Sequence, residues 1–368
     1  MTHGQWDRVS RVLCVRLDTL GDVLMTTPAI RALKTSHARP HVTLLTSGAG
    51  AGIAALVPEI DDVIVYDAPW LKATPPRANA RPDVAMIHRL RAGHFDAAVI
   101  FTVYSQNPLP SAMLCYLAGI PLRLAHCHEN PYQLLTTWVS DPEPATRVRH
   151  EVQRQLDLVR AVGCETPDEH LSLRVPPGAD ARARRRLASA GVDVSRPWLL
   201  VHPGATAPSR RYPAEHFVCV ARSLALDHGQ QVVFTGSAHE HTLIERIRAA
   251  MDALSHSLAG ELSLAELAAV IARAPLLIAN NTGPVHMAAA LGTPVVDLYA
   301  LTNPQHTPWR VRSRVLSHDV PCKYCYKSIC PHGHHDCLRR IAPATVVHAA
   351  CALLHDAASE RATLEAVS

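Results

Sequence analysis

The stretch NNTGPVHMAAALGTPVV, Asn280 to Val296, decides how the rest of the chain is read. It follows Leu276-Leu277-Ile278, a short apolar run of the kind that a buried parallel strand needs. Asn280-Asn281-Thr282-Gly283-Pro284 breaks the run with an N-cap candidate, a glycine and a proline suited to a first helical turn. Ala288-Ala289-Ala290 lets the following helix approach a sheet closely. Leu291-Gly292 ends that helix, and Val295-Val296 begins the next strand. The spacing predicts a helix whose positive end and unpaired N–H groups lie above the strand tips. That is an anion site, and a diphosphate is its natural guest. An ordinary strand–helix turn has the same sequence, so the reading depends on what else reaches this edge.

Two further strand exits supply it. Trp198-Leu199-Leu200-Val201 runs into His202-Pro203-Gly204-Ala205 and a loop, Thr206 to Tyr212, that carries Ser209-Arg210-Arg211. Pro213 then opens a helix through Leu224. Gln231-Val232-Val233-Phe234 runs into Thr235-Gly236-Ser237-Ala238-His239-Glu240 and a helix. Another helix, from Ser263 to Ala272, opens on a capping-box pattern, Ser263-Leu264-Ala265-Glu266. Turns after Val201, Phe234 and Ala279 therefore open on one edge of a single sheet. They offer free amides, a guanidinium at Arg210 and a carboxylate at Glu240. Cation and helix end suit phosphate, and carboxylate suits ribose hydroxyls. The chain has no Gly-x-x-x-x-Gly-Lys-Ser/Thr, which counts against a P-loop ATPase.

The first half repeats the βα rhythm. Val12-Leu13-Cys14-Val15 reads as a buried strand, Asp18 to Asp22 as a loop, and Val23 to Lys34 as a helix with Pro28 inside it. The loop lacks the Gly-x-Gly-x-x-Gly of a dinucleotide site and offers a carboxylate, Asp22, above a strand tip. Capping of its own helix is an equally good reading of Asp22. Val42–Leu45, Val63–Tyr66, Ala97–Phe101 and Pro121–Leu124 read as strands, with a surface loop from Pro69 to Pro82. His126-Cys127-His128-Glu129 reads as a polar loop rather than a metal site. His150 to Gly163 is an amphipathic helix with Val152, Leu156, Val159 and Val162 on one side. Leu173 to Gly178, rich in proline, is the domain junction. The arginines of Arg182 to Arg186 read as a solvated face, with contact to an anionic membrane surface the lesser alternative.

A chain of 368 residues, 48% hydrophobic, suits about two globular domains. A net charge of +4 gives no bulk-charge basis for nucleic-acid binding. No secretory leader pattern and no apolar run of roughly 18 residues is present, so a cytoplasmic protein is expected. Cys14, Cys115, Cys127, Cys164, Cys219 and Cys351 are scattered among apolar neighbours, as in a reducing compartment.

Four blocks, RVLCVRLDTLGDVLMTTPAIRALK, HPGATAPSRRYPAEHF, VVFTGSAHE and NNTGPVHMAAALGTPVV, lie in order from Arg11 to Val296. Together they resemble glycosyltransferase family 9, the bacterial heptosyltransferases. The resemblance implies an α/β, GT-B architecture of two Rossmann-like doubly wound domains. Residues 1–175 would receive an acceptor, and 176–345 a nucleotide sugar, typically ADP-heptose. Residues 346–368 would form a helix that often returns to the first domain in this family. The resemblance also implies inversion without a catalytic metal. Asp22 would be the general base and Arg210 would stand where the family has a phosphate-contacting Lys. Glu240 would bind ribose, and Asn281, Thr282, Gly283 and His286 would form the donor turn. Asn281 departs from the family's usual Asp, which bears on donor identity. The expected acceptor is a hydroxyl of a lipopolysaccharide core or other glycan. Alternatives are another nucleotide sugar, such as a dTDP- or GDP-deoxyhexose, a protein or small-molecule acceptor, or a GT-B shell that binds without chemistry.

One motif lies outside that resemblance. Cys322-x-x-Cys325, then Cys330 and Cys337, gives four thiols between 321 and 338, with Pro321 and Pro331 as stiffeners. This is metal-ligand spacing, and a full shell of four thiolates predicts a structural zinc, or iron. Free thiols or a disulfide are the alternatives, and the expected reducing compartment counts against the disulfide. The knot would sit before the C-terminal helix and organise an acceptor-facing or oligomeric surface.

Overall fold

The computed structural model describes residues 3–72 and 74–367, with residues 3 and 357–367 described as backbone only. Met1, Thr2, Ala73 and Ser368 lie outside the described residues. The chain divides into two compact units, Met1–Arg174 and Val175–Ser368.

The first unit holds a parallel sheet of six strands: β1 (Arg11–Val15), β2 (His41–Thr46), β3 (Asp62–Val65), β4 (Ala97–Ile100), β5 (Leu122–Cys127) and β6 (Thr137–Ser140). Their order is β3-β2-β1-β4-β5-β6. The central strands are apolar throughout because helices cover both faces of a parallel sheet. Val12, Leu13, Cys14 and Val15 are all buried, and so is the whole of β4. The helix Leu20–Lys34 follows β1 and accommodates Pro28. The helix Glu151–Arg160 packs on it and buries Val152, Leu156 and Val159.

The second unit repeats the plan with β7 (Trp198–His202), β8 (Gln231–Phe234), β9 (Ser255–Ser257), β10 (Leu277–Asn280), β11 (Val295–Leu298) and β12 (Ser313–Leu316). Their order is β12-β11-β10-β7-β8-β9, again all parallel. The order of β10, β7 and β8 brings the three exits named from sequence side by side. The predicted capping box at Ser263 is present: its hydroxyl accepts from Glu266 N at 3.3 Å, and its own N–H donates to Glu266 Oε2 at 2.9 Å.

One expectation is modified. His126 and Cys127 stand on β5 rather than in a loop, and His126 is buried with Nε2 3.0 Å from the Arg154 carbonyl. Burial, and then Arg154 beside it, pull its pKa down to about 4, so it is a neutral core histidine. The C-terminal helix starts at Pro343 and lays Val346, Ala350 and Leu353 into the core of the second unit. Among the described residues, no helix is long and apolar enough to cross a membrane.

Candidate functional site

In an open doubly wound sheet, ligands gather where the strand order reverses. In the first unit that point lies between β1 and β4. Just past β1, the Arg16 guanidinium is fully buried and meets three carboxylates: Asp18 at 3.0 Å, Asp22 at 3.2 Å and Glu151 at 2.9 Å. Burial lowers the arginine's proton affinity, but Asp18, Glu151 and Asp22 more than offset this and the net shift is upward. One cation does not balance three anions. Asp18 carries the consequence: burial first, then Asp22 and Glu151, push it up to about 6 against the pull of Arg16 and Gln106. Folding therefore favours its neutral form, and the stability tied to it is lost as pH rises from the ordinary value of 3.8 through about 6.

Asp22 is the third residue of its helix and closes a capping box. Its Oδ2 accepts from Thr19 N at 3.1 Å and Thr19 Oγ1 at 2.8 Å, while Oδ1 accepts from Arg16. The capping role is thus real and leaves the side chain partly exposed, at 17%. Beside it opens a cavity of about 260 Å³ over the β1 and β4 tips, whose polar lining includes Asp18, Gln106, Asn107 and Ser111, with Trp70 at one wall. Gln106 Nε2 donates to Asp18 Oδ1 at 2.6 Å across the switch point.

Arg16→Met is expected to cost about 3–5 kcal/mol in urea unfolding, because it removes the cation and leaves buried carboxylates facing one another.

In the second unit the reversal lies between β10 and β7. Asn280, fully buried, ties the exits together. Its Oδ1 accepts from Tyr212 N at 2.9 Å, and its Nδ2 donates to Pro203 O at 2.7 Å. Glu240 leans over the β7 exit, where a Cβ on Gly204 would come within 1.8 Å of its Oε1; only glycine allows that approach. Its Oε2 accepts from Ser237 N at 2.7 Å and lies 4.0 Å from His202 Nε2. Burial depresses the pKa of His202 against the pull of Glu240, which leaves the imidazole neutral.

Thr282 is the N-cap of the helix Gly283–Leu291, and Pro284 occupies its first turn. Thr282 and Gly283 are partly open to solvent, whereas Asn281 and His286 are buried at 3% and 4%. The turn is thus partly open to solvent while the Asn281 side chain is buried beside it. Asn281 Nδ2 donates to Asp297 Oδ2 at 3.1 Å and to His306 O at 2.9 Å. Burial pushes Asp297 up to about 8, opposed by the Asn281 bond and by the nearby Arg210 guanidinium. Arg210 therefore shares the region with the Asn281 turn. Its loop is stitched from below, since Ser209 N donates to Ser328 O at 3.0 Å and Ser209 Oγ to Lys327 O at 2.8 Å.

Those two carbonyls belong to the cysteine knot. Cys322, Cys325, Cys330 and Cys337 line one small cavity of about 20 Å³ together with His334, and Ser209 forms part of its wall. All four are free thiols, and Cys322 Sγ is 3.7 Å from His334 Nε2. Among the described residues, no group of three or more His, Cys, Asp or Glu stands as a formed metal shell. The closed four-thiolate site expected from spacing is thus gathered but not closed.

The family model of glycosyltransferase family 9 (heptosyltransferase) matches residues 84–335, more than half of the chain. The chain belongs to glycosyltransferase family 9. As a member it is a glycosyltransferase with the GT-B fold. Lipopolysaccharide heptosyltransferase 2 of Escherichia coli K12 is 26% identical over 362 residues, covering 94% of this chain and 98% of that protein. A family 9 glycosyltransferase from Veillonella parvula superposes with a TM-score of 0.79 at 23% identity, covering 94% of this chain and 98% of that one. The iron-containing dodecameric TibC of enterotoxigenic Escherichia coli H10407 is a more distant neighbour. In complex with ADP-D-β-D-heptose it superposes at 0.54 and 15% identity, covering 95% of this chain and 77% of TibC.

For a family 9 member, sequence reasoning missed Arg16, Asp18 and Asp297. A signal was available for Arg16 and Asp297. Arg16 directly follows the apolar run Val12–Val15 and must find counter-charges, and Asp297 is a lone carboxylate among Val295, Val296 and Leu298.

Proposed function

We propose that this glycosyltransferase moves a heptose from ADP-heptose to a hydroxyl of a lipopolysaccharide core or other glycan, with inversion. What supports the reading is that the exits of β10, β7 and β8, which carry the Thr282-Gly283 turn, Arg210 and Glu240, lie side by side at the β10–β7 reversal. In this reading the second unit takes the nucleotide sugar and the first takes the acceptor. Asp22 accepts the proton of the acceptor hydroxyl as that oxygen bonds to the anomeric carbon. The bond from that carbon to the diphosphate oxygen breaks, and Arg210 with the Thr282-Gly283 amides stabilises the charge that grows on departing ADP. Glu240 accepts from ribose hydroxyls. No step calls for a catalytic metal. Reaction takes place in the cytoplasm, with peripheral contact at the inner membrane where the acceptor is a glycolipid. Supplying ADP-heptose and core acceptors tests this: released ADP should match the acceptor mass gained. Transfer only from a dTDP- or GDP-sugar, or to a protein or small molecule, would select an alternative. Donor binding with neither transfer nor hydrolysis would leave a binding shell.

A second reading has one observation in its favour. Asp18, not Asp22, lines the 260 Å³ cavity, and its pKa near 6 suits a base at neutral pH. Comparing Asp18→Asn with Asp22→Asn separates the two.

For the knot, Cys322, Cys325, Cys330 and Cys337 fit a structural zinc or iron by donor type and by their shared cavity. A bound ion would supply a rigid cross-link. Ser209 lies in the same wall, so the cross-link would stiffen the loop that presents Arg210. A homo-oligomer built on this surface remains part of the proposal. Protein purified without chelator should carry about one zinc or iron per chain by elemental analysis. Finding neither would refute the site.

A further inference from the structure

Asp297 stands on β11 between Val296 and Leu298 with no exposed surface. A carboxylate inside a buried parallel strand is costly unless it is partnered. Only half of it is: Oδ2 accepts from Asn281, while Oδ1 has no hydrogen-bond partner. The Asn281 amide is constrained in turn. One N–H goes to Asp297 and the other to the His306 carbonyl. A flipped amide would set oxygen against oxygen at the His306 carbonyl, so the orientation follows from the network. The amide oxygen, Oδ1, points away from both partners and takes no hydrogen bond among the described residues.

We propose that Asp297 is a positioning residue for the donor: it turns both N–H groups of Asn281 inward, so that Asn281 offers only an acceptor and takes a donor hydroxyl, on the ribose or the transferred sugar, rather than the diphosphate. This rests on the donor reading above. It divides the labour at the turn. Thr282-Gly283 amides and Arg210 take phosphate oxygens, and an amide nitrogen at 281 does not compete for them. The groups that face Asp297 are Arg210 from the loop after β7, Asn281 from the β10 exit and Tyr299 from just past the end of β11. The site tolerates its charge state in a particular way. Asp297 keeps its proton to about pH 8, and a proton on Oδ1 leaves the Oδ2 bond to Asn281 intact. Below that pH no net charge stands behind a turn built for an anion. Above it, the ionised carboxylate opposes the diphosphate, and donor affinity should fall. Folding also favours the neutral acid, so stability tied to it is complete below the ordinary 3.8 and is lost as pH rises through about 8.

Calorimetric titration of the intact chain with ADP, 2′-deoxy-ADP and ADP-heptose tests this, beside thermal melts of each variant. Asp297→Leu puts an apolar side chain in an apolar strand, so its melting temperature should hold or rise. Its ADP-heptose affinity should nevertheless drop roughly ten-fold, which a merely structural role would not produce. Asn281→Ala should lose a similar factor, and the double variant no more than either alone. Asp297→Asn keeps an acceptor oxygen, so its affinity at pH 7 should stay within about three-fold and not fall between pH 7 and 9 as the wild type's does. A loss shared by ADP, and absent when 2′-deoxy-ADP is the reference, places the hydroxyl on the ribose. A loss confined to ADP-heptose places it on the sugar. Wild-type affinity in Asp297→Leu, or penalties that multiply in the double variant, overturns the proposal while the donor reading stands. Should Asp297→Leu not fold, undiminished affinity in Asn281→Ala overturns it equally. A wild type that binds neither ADP nor ADP-heptose removes the donor reading and the proposal with it.

Discussion

Asp22→Asn is expected to slow transfer by about 10²–10⁴-fold, roughly 3–5 kcal/mol of barrier, while ADP affinity stays within about two-fold. The substitution keeps the shape of the side chain and can keep the oxygen that accepts from Thr19 N and Oγ1, so the helix start survives. What it removes is the proton acceptor. Asp22→Ala is a poorer probe, because it also strips the cap and one counter-charge from buried Arg16. If Asp18→Asn loses the larger factor and Asp22→Asn keeps near-full turnover, the base is Asp18. The pH profile supports the distinction, since a base with the elevated pKa of Asp18 would cut activity below about pH 6.

Arg210→Ala should lower kcat by about 10²–10³-fold, roughly 3–4 kcal/mol, the size found when one charge-stabilising donor is removed from a developing anion. The loss should appear in kcat as well as in donor affinity, since leaving-group charge grows towards the transition state. Arg210→Lys should recover part of it: the charge returns, but a point ammonium does not reproduce the guanidinium fork. A kcat unchanged in Arg210→Ala would take Arg210 out of the chemistry. The loop should not collapse, because Ser209 N and Oγ hold it to Ser328 and Lys327 without help from Arg210.

The central strands were legible because a strand covered on both faces has to be apolar. Leu199, Val201, Val232, Phe234 and Ile278 are all fully buried. The outer strands β6, β9 and β12 were not. Thr137–Ser140 alternates half-buried and exposed positions, Ser255–Ser257 is three polar residues long, and Ser313–Leu316 is mostly open. Their pairing depends on a neighbour already in place rather than on their own pattern. The donor turn was legible through Thr282, Gly283 and Pro284, whose local preferences agree with the observed cap. Its back wall was not, because the 3.1 Å bond between Asn281 and Asp297 joins residues sixteen apart that only the β10–β11 pairing brings together. Arg16 and Glu151, 135 residues apart, were equally out of reach, because only the packing of the helix Glu151–Arg160 on the helix Leu20–Lys34 brings them together.

Calorimetric titration of the intact wild-type chain with ADP-heptose, beside dTDP- and GDP-deoxyhexoses, bears most directly on the second unit as a cradle for that donor. One site per chain that takes ADP-heptose, is competed by ADP and is weakened by Arg210→Ala is the expected result. Preference for a dTDP- or GDP-sugar, or binding indifferent to Arg210, would contradict it.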